Sequence, residues 1–336
     1  MTRIVSYNIL AGGYNLRESG ARRTQQLARI IRSADPDIVG VIEATHPQMT
    51  TSPMVVEELA ETLGMQLVID DEARTAREYQ PALLTRLPIL STRIHKRPGL
   101  FNRSLIEVCV EERNGQPLTI FVTHLSALFY KGWAGNGIRE REMTEILRIM
   151  APLRQQNKPH LLMGDFNSLS PSDPFKASHL LRYIVNMDGL KSKTRADDGH
   201  PHLSYVVPPK LRFLKPILRV IPQSQLLCNL FDLAASCYAP RGCMRLILNA
   251  GYVDCYRRVH PHEWGFTCPA AAPAGRIDYI FASPDLAARV DICEPIIEGD
   301  GLRGEDASDH LAMTARFSLS VPAMPRVEEA DSATIS

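Results

Sequence analysis

The sequence predicts an α/β fold in which β-sheets are covered by helices. Three observations point there. Through the first half of the chain, short β-rich runs alternate with helical patterns of period 3.6. Asn114-Gly115, between two longer β-rich runs, is a hairpin signal. Elsewhere a helical pattern lies between two strand runs, the order of a crossover. Strands connected in both ways make sheets that need helices over them.

The elements follow in chain order. Arg3–Ile9 is short and β-rich. In Ala21–Ser33, Leu27, Ile30 and Ile31 share one side of a helix. Asp35-Pro36 stops it, because the residue before proline avoids the helical region. Asp37–Ile42 reads as a buried strand. Met54–Leu63 reads as a helix ending at Gly64. Met65–Ile69, Ala82–Thr85 and Ile89–Lys96 read as strands. So do Ser104–Glu111 and Leu118–His124, on either side of the hairpin. Ile138–Arg154 is the strongest helix, with Ile138, Met143, Ile146, Leu147 and Met150 on one face. His160–Gly164 is another buried strand, and Arg276–Ala282 and Ala312–Ser318 are strands near the end.

Of the 336 residues, 45% are hydrophobic and 22% charged, enough for a sizeable core and too apolar for an intrinsically disordered chain. A formal net charge of +1 gives no global pull toward nucleic acid or an acidic partner. The seven cysteines are odd in number and form no C-x-x-C pair, which predicts reduced thiols. MTRIVSYNIL contains no leader-length apolar run, and no stretch approaches the roughly 20 apolar residues that span a bilayer. These features predict a cytoplasmic protein without a transmembrane segment.

Residues 1–320 read as one domain, interrupted at about 172–248 by an insertion or lid, with a flexible tail over 321–336 rich in Pro, Glu, Ala and Ser. Within Leu203–Arg245 six bases face one acid, Asp232. Phe213–Ile221 is both apolar and basic. The favoured expectation is helices packed on the core with their bases solvated. The competing one is a peripheral contact of residues 203–245 with anionic lipid or nucleic acid.

Five places put polar groups at the ends of apolar strands, where ligands reach them. Val5-Ser6-Tyr7-Asn8 ends in a carboxamide, which can orient a carboxylate or a water; a turn residue is the plainer reading. Asp37–Glu43 ends a buried run in a carboxylate oxygen of the kind a hard cation takes. Phe121–Ala127 carries His124, able to donate to a phosphoryl oxygen or act as an acid. Leu161–Ser168 contains Gly164, which permits a sharp turn, and then Asp165 and Asn167, whose spacing points both side chains the same way. A carboxylate there can take a proton from water while the amide holds a phosphate. Last, Asp278 lies inside an apolar strand and needs a partner. His310 is the natural one, since a carboxylate on one ring nitrogen fixes the tautomer and raises basicity. Asp309 beside it faces a metal in this reading.

Taken together, SYN, VIEA, THLSA, GDFNS, RIDYIF and SDH, in that order from residue 6 to 310, resemble the endonuclease/exonuclease/phosphatase superfamily of nucleases, sphingomyelinases and inositol-polyphosphate phosphatases. The resemblance implies a four-layer α/β/β/α sandwich, two packed mixed β-sheets flanked by helices. It implies Mg²⁺, with Mn²⁺ as the alternative ion, held principally by Glu43 with Asn8 and Asp309 nearby. It implies that Asp165 activates or orients the attacking water and that Asn167 and His124 hold the scissile phosphate. His310, oriented by Asp278, would stabilise the transition state, and Arg103 would add a phosphate contact. The substrate would be a phosphate ester: nucleic acid, lipid headgroup or small phosphodiester.

Two other classes compete. One is a catalytically inactive phosphate- or lipid-binding protein on the same fold, against which the complete acid, amide and imidazole set argues. The other is a zinc protein using His200-Pro201-His202 and His260-Pro261-His262, against which the lack of thiolate partners argues.

Overall fold

The computed structural model describes residues 1–15, 20–49, 52–127, 133–191, 213 and 215–319. The expected tail, His200-Pro201-His202 and residues 203–212 lie outside these residues.

Two six-stranded mixed sheets form the centre. The first contains β1 (Thr2–Asn8), β2 (Ile38–Ile42), β3 (Gln66–Ile69) and β4 (Ala82–Thr85), with β11 (Val290–Ile296) and β14 (Ala312–Phe317), in the order β11-β14-β1-β2-β4-β3. The second contains β5 (Ile89–His95), β6 (Leu105–Glu111), β7 (Pro117–His124), β8 (His160–Asp165), β9 (Val253–Asp254) and β10 (Asp278–Ala282), in the order β5-β6-β7-β8-β10-β9. A small hairpin pairs β12 (Glu298–Gly299) with β13 (Leu302–Arg303).

Alternation along the strands builds the layers. Ile4, Ile38 and Met313 of the first sheet meet Ile106, Val108, Leu161, Met163 and Ile280 of the second in a dry core between the sheets. On the outer face of the first sheet, Val5, Tyr7, Val39 and Val41 pack on α1 (Thr24–Ser33) and α2 (Val55–Leu63) through Leu27, Ile31, Val56 and Leu59. On the outer face of the second, Phe121, Leu162 and Phe281 pack on α3 (Trp133–Gln155) and the helix Gly242–Asn249. The result is the four-layer α/β/β/α sandwich.

Local chemistry explains several of these boundaries. Helix α2 starts with Glu57 accepting from the Met54 amide at 2.7 Å and ends at Gly64, whose φ of +64° closes the turn. Gly40 lets the sheets approach, since a Cβ there would lie 2.6 Å from Met163 Cε. Helix α1 begins at Thr24 rather than Ala21, because Arg22 bridges to Tyr14 and the Arg23 amide bonds Gly13 O. Strand β10 begins at Asp278 rather than Arg276. Strand β11 was not expected: its sequence VDICEPI mixes charges and Pro295, which an edge strand tolerates because one side of it has no ladder to serve.

Among the described residues between β8 and β9 lie the helices α4 (Ala177–Lys191), Lys215–Val220, Gln225–Tyr238 and Gly242–Asn249. Leu181 and Ile184 form a small separate cluster with Leu218, Ile221 and Phe231. The favoured expectation of plain packing holds for Gly242–Asn249 and fails for Phe213, Ile217 and Val220, which are exposed and outside that cluster. Among the described residues, no helix is long and apolar enough to cross a membrane.

Candidate active site

Register brings the polar strand ends together. β1 and β2 run parallel with Asn8 opposite Ile42, so Asn8 and Glu43 leave the first sheet at the same end. β7 and β8 run parallel with His124 opposite Asp165. β10 runs antiparallel to β8, so Asp278, at its start, pairs with Asp165. β14 runs antiparallel to β1, so His310 and Asp309, just before it, arrive at the same edge. β1 packs across β8 and β10, which closes the two edges over one another. Parallel pairs ending, and antiparallel partners beginning, at one rim converge residues spread over 303 positions of sequence, from Asn8 to His310 and beyond the reach of any local motif.

Asp165 is the hub. Its Oδ1 accepts from the Asn167 amide at 2.8 Å, and its Oδ2 accepts from Asn8 Nδ2 at 3.1 Å. The same Oδ2 is 3.6 Å from His124 Nε2 and 3.9 Å from His310 Nε2. Gly164 makes this possible: a Cβ there would lie 1.9 Å from the Thr123 carbonyl oxygen, at a φ of +149°. Asn167 sits at φ +46°, a region asparagine tolerates, and its Nδ2 donates to Leu125 O at 3.0 Å. His310 Nδ1 is 2.8 Å from Asp278 Oδ2, the partnership the sequence suggested.

Glu43 occupies φ +56°, a strained conformation for a residue with a long side chain. Its Oε2 accepts from the Ala11 amide at 2.8 Å, in a turn where Leu10, Ala11, Gly12 and Gly13 all have positive φ. Arg23 ties this turn down by donating to the carbonyls of Ile9, Leu10 and Tyr14, and also to that of Ala307, two residues before Asp309. Ser308 Oγ donates to Asn8 O at 2.7 Å and joins the same two loops.

Burial sets the protonation. Asp165 is pushed up to about 7 by burial and then by the Asp278 charge. Glu43 is raised by burial, opposed by the Ala11 amide and reinforced by Asp309. His124 is held well below the usual histidine range by burial and by Arg103 and His310, so it is neutral. Burial pulls His310 the same way, but Asp278 outweighs it and His310 holds its proton well above the usual range.

Asp165, Asp278, His310, His124, Asn167 and Asn8 therefore come together, and Asp309 is close enough for its charge to raise Glu43. Arg103 also reaches this region, but its guanidinium lies 3.3 Å from Leu125 O and 3.4 Å from Glu78, bracing the loop after β7. His260 is 3.3 Å from Glu263 and lies against the Tyr256 ring, while His262 is exposed, so among the described residues that segment assembles no zinc set.

Sequence reasoning missed the supporting residues. Ser126 donates both amide and hydroxyl to Glu142, at 3.0 and 2.7 Å, and accepts from buried Arg139 through its carbonyl. Arg276, fully buried, is clamped between Asp173 and Asp254 with contacts of 2.6–3.1 Å and lies over the rings of Tyr256 and Tyr279. Arg276 within an apolar run was a visible signal. Glu142 and Arg139 are polar positions on α3 and Arg23 lies just before α1, and none of them carries a local signal.

The donor set suits a hard divalent cation. Atoms of Asp165, Asp278 and His310 lie within 4.8 Å of one another and could hold an ion. Asp278 Oδ1 is buried without a hydrogen-bond partner, which leaves an acceptor for a cation or substrate proton. The Asp309 charge adds to the burial that raises Glu43, and carboxylate oxygens are donors of the kind a hard divalent cation takes.

The model of the endonuclease/exonuclease/phosphatase family matches residues 5–310. An AP endonuclease from Archaeoglobus fulgidus superimposes with a TM-score of 0.55 at 17% identity, covering 95% of this chain and 100% of that one. The 3′ phosphatase NExo from Neisseria, solved with a product DNA hairpin, gives 0.54 at 16% identity, covering 95% and 100%. Truncated TDP2 from Caenorhabditis elegans gives 0.54 at 14%, covering 94% and 96%. No curated protein matches. At these identities the solved structures establish the fold alone, while the family match runs from β1 to His310 and takes in every strand end that meets at the site. The chain belongs to the endonuclease/exonuclease/phosphatase family.

Proposed function

We propose that the chain is a divalent-metal-dependent phosphodiesterase that directs water at phosphorus. The observation that carries this reading is the Asp165 carboxylate, buried, raised to about 7, and set between two imidazoles of opposite character. A carboxylate near neutrality can accept a proton from water at working pH. The Asn8 amide and the Asn167 backbone fix its two oxygens, so the lone pair that meets water has one direction.

The other residues divide the charge that develops at phosphorus. His310, protonated and locked by Asp278, presents Nε2–H to a nonbridging or leaving oxygen. His124, neutral, offers a hydrogen bond without repelling its charged neighbour. The Asn167 Nδ2 group has two hydrogens, and the one not used on Leu125 O serves the phosphate. A preorganised donor of this kind contributes about 3 kcal/mol to the transition state, or roughly 10²-fold in rate. Glu43 and Asp309, with Asn8 beside them, are the residues proposed to hold Mg²⁺ or Mn²⁺. The ion when bound supplies Lewis-acid neutralisation of phosphoryl charge.

DNA phosphate esters are the first substrates to test, since two of the structural relatives are named for DNA processing. Lipid headgroups and small diesters follow. The test is a panel: abasic-site DNA, a DNA 3′-phosphate, RNA, a phosphatidyl diester and an inositol phosphate, each with Mg²⁺ and with EDTA. Metal-dependent release of a phosphate ester in one class supports the proposal. No turnover in any class, with phosphate or lipid bound nonetheless, supports the catalytically inactive reading on the same fold.

A further inference from the structure

The Asp278–His310 pair joins the two sheets, because Asp278 opens β10 of the second and His310 precedes β14 of the first. Apolar packing between the sheets is non-directional and does not by itself fix where one rim stands over the other. Thr267 bonds both sides of the pair. Fully buried, it accepts through Oγ1 from the amides of Ile277 at 3.2 Å and Asp278 at 3.3 Å. Its carbonyl accepts from the amide of Leu311, next to His310, at 2.8 Å. Further along the same segment the Ala270 amide donates to Asp309 O at 2.7 Å. The segment is closed at its base, where the Thr267 and Cys268 amides donate to Gly275 O at 3.0 and 3.1 Å and the Gly275 amide donates back to Cys268 O at 3.3 Å. It forms a strap with its backbone on residues 309–311 and one hydroxyl on the start of β10.

We propose that Thr267 is a positioning residue for the hydrolysis: its hydroxyl places the backbone of Asp278 and its carbonyl places that of Leu311, so that the Asp278 carboxylate meets Nδ1 of His310. It acts through the pair rather than on the phosphate, and the inference rests on the catalytic reading given to that pair. The two arms differ in what they need. The bond from Leu311 goes to a backbone carbonyl and survives a change of side chain. The bonds from Ile277 and Asp278 go to the hydroxyl and are lost with it. Two buried amides then lack an acceptor, which is costly enough to shift the chain toward another one. A displacement of about 1 Å in a reacting geometry can cost on the order of 10²-fold in rate. The Ala270 bond to Asp309 O is also backbone to backbone, so the loop that carries Asp309 keeps its tether when the hydroxyl is removed.

The experiment compares Thr267→Val, close in shape but without the hydroxyl, with Thr267→Ser, which keeps it. On a phosphodiester that the wild-type chain hydrolyses, Thr267→Val should lower kcat about tenfold and leave KM within about twofold, and Thr267→Ser should return kcat to within about threefold of wild type. Thr267→Val/Asp278→Asn should be no slower than Asp278→Asn, since both changes act on one bond. In NMR spectra at a single pH, the His310 Nδ1 proton, identified by its loss in His310→Ala, should move in Thr267→Val and return in Thr267→Ser. A threonine that only supports the fold would lower the unfolding midpoint and change neither kcat nor that resonance. A folded Thr267→Val with wild-type kcat, or with the resonance unmoved, overturns the proposal. So does a loss that serine does not restore, or one that multiplies with that of Asp278→Asn. Thr267→Ala takes the place of the valine variant if valine prevents folding. If the wild-type chain hydrolyses no ester, the catalytic reading fails, and the resonance alone decides whether Thr267 places the ring.

Discussion

His310 Nδ1 and Asp278 Oδ2 lie 2.8 Å apart, in a site where both residues are almost completely removed from water. The pair fixes the orientation of the ring and leaves Nε2 facing Asp165. If Asp278 acts only through His310, the two cannot contribute independently. Asp278→Asn should lower kcat by about 10²-fold, and His310→Ala by about 10²–10³-fold. The double variant should fall no further than His310→Ala. Steady-state rates on one phosphodiester decide this, and losses that multiply would separate the residues.

The buried acid sets a pH dependence of stability. Asp165 has an ordinary value of 3.8 and a folded value of about 7, so between these the folded state holds more protons than the unfolded one. Stability must then fall as pH rises through that window. His310 acts in the same direction: its raised value favours the fold at low pH and is lost as pH climbs above the ordinary 6.5. His124, held well below its ordinary value, works in the opposite direction below pH 6.5. The Asp165 contribution is therefore read as a difference: in urea unfolding in EDTA, the stability of the wild-type chain relative to Asp165→Asn should fall as pH rises from 5 to 8. A slope of opposite sign contradicts the assigned burial.

Divalent metal should reverse the same burden. Millimolar Mg²⁺ should raise the unfolding midpoint of the wild-type protein at pH 8, by mass action on the folded state. Glu43→Gln and Asp309→Asn should remove most of that gain, and His310→Ala should keep it. The converse pattern, with His310→Ala abolishing the gain and Glu43→Gln keeping it, would place the ion among Asp165, Asp278 and His310 instead.

Two glycines differ in what they meet. At Gly164 an added Cβ would strike a backbone carbonyl oxygen, which cannot move without breaking the β7–β8 pairing. At Gly40 it meets the end of the Met163 side chain, which can rotate away. Gly164→Ala should cost about 3 kcal/mol or prevent folding, and Gly40→Ala about 1 kcal/mol. Chemical denaturation of both variants checks the order.

The polar ends of β1, β2, β7 and β8 were legible because each follows an apolar run that has no other reason to stop in Asn, Glu, His or Asp. Gly164 was legible from its place before Asp165. Residues acting across long separations were not: Arg23 serves Ala307, 284 positions away, and Arg276 serves Asp173, 103 positions away. Such side chains become functional only once the sheets are closed. Phe213, Ile217 and Val220 departed from the packing expectation because burial preference says that apolar residues tend to find a core without saying which ones do.

The central claim is that Asp165 directs a metal-dependent attack of water on a phosphodiester. Hydrolysis of bis-p-nitrophenyl phosphate by the wild-type chain and by Asp165→Asn, each with Mg²⁺, with Mn²⁺ and with EDTA, tests it most directly. The account predicts wild-type turnover that EDTA abolishes and either ion restores, with Asp165→Asn slower by at least about 10²-fold in both ions. Turnover that persists in EDTA, or that survives Asp165→Asn at the wild-type rate, contradicts it.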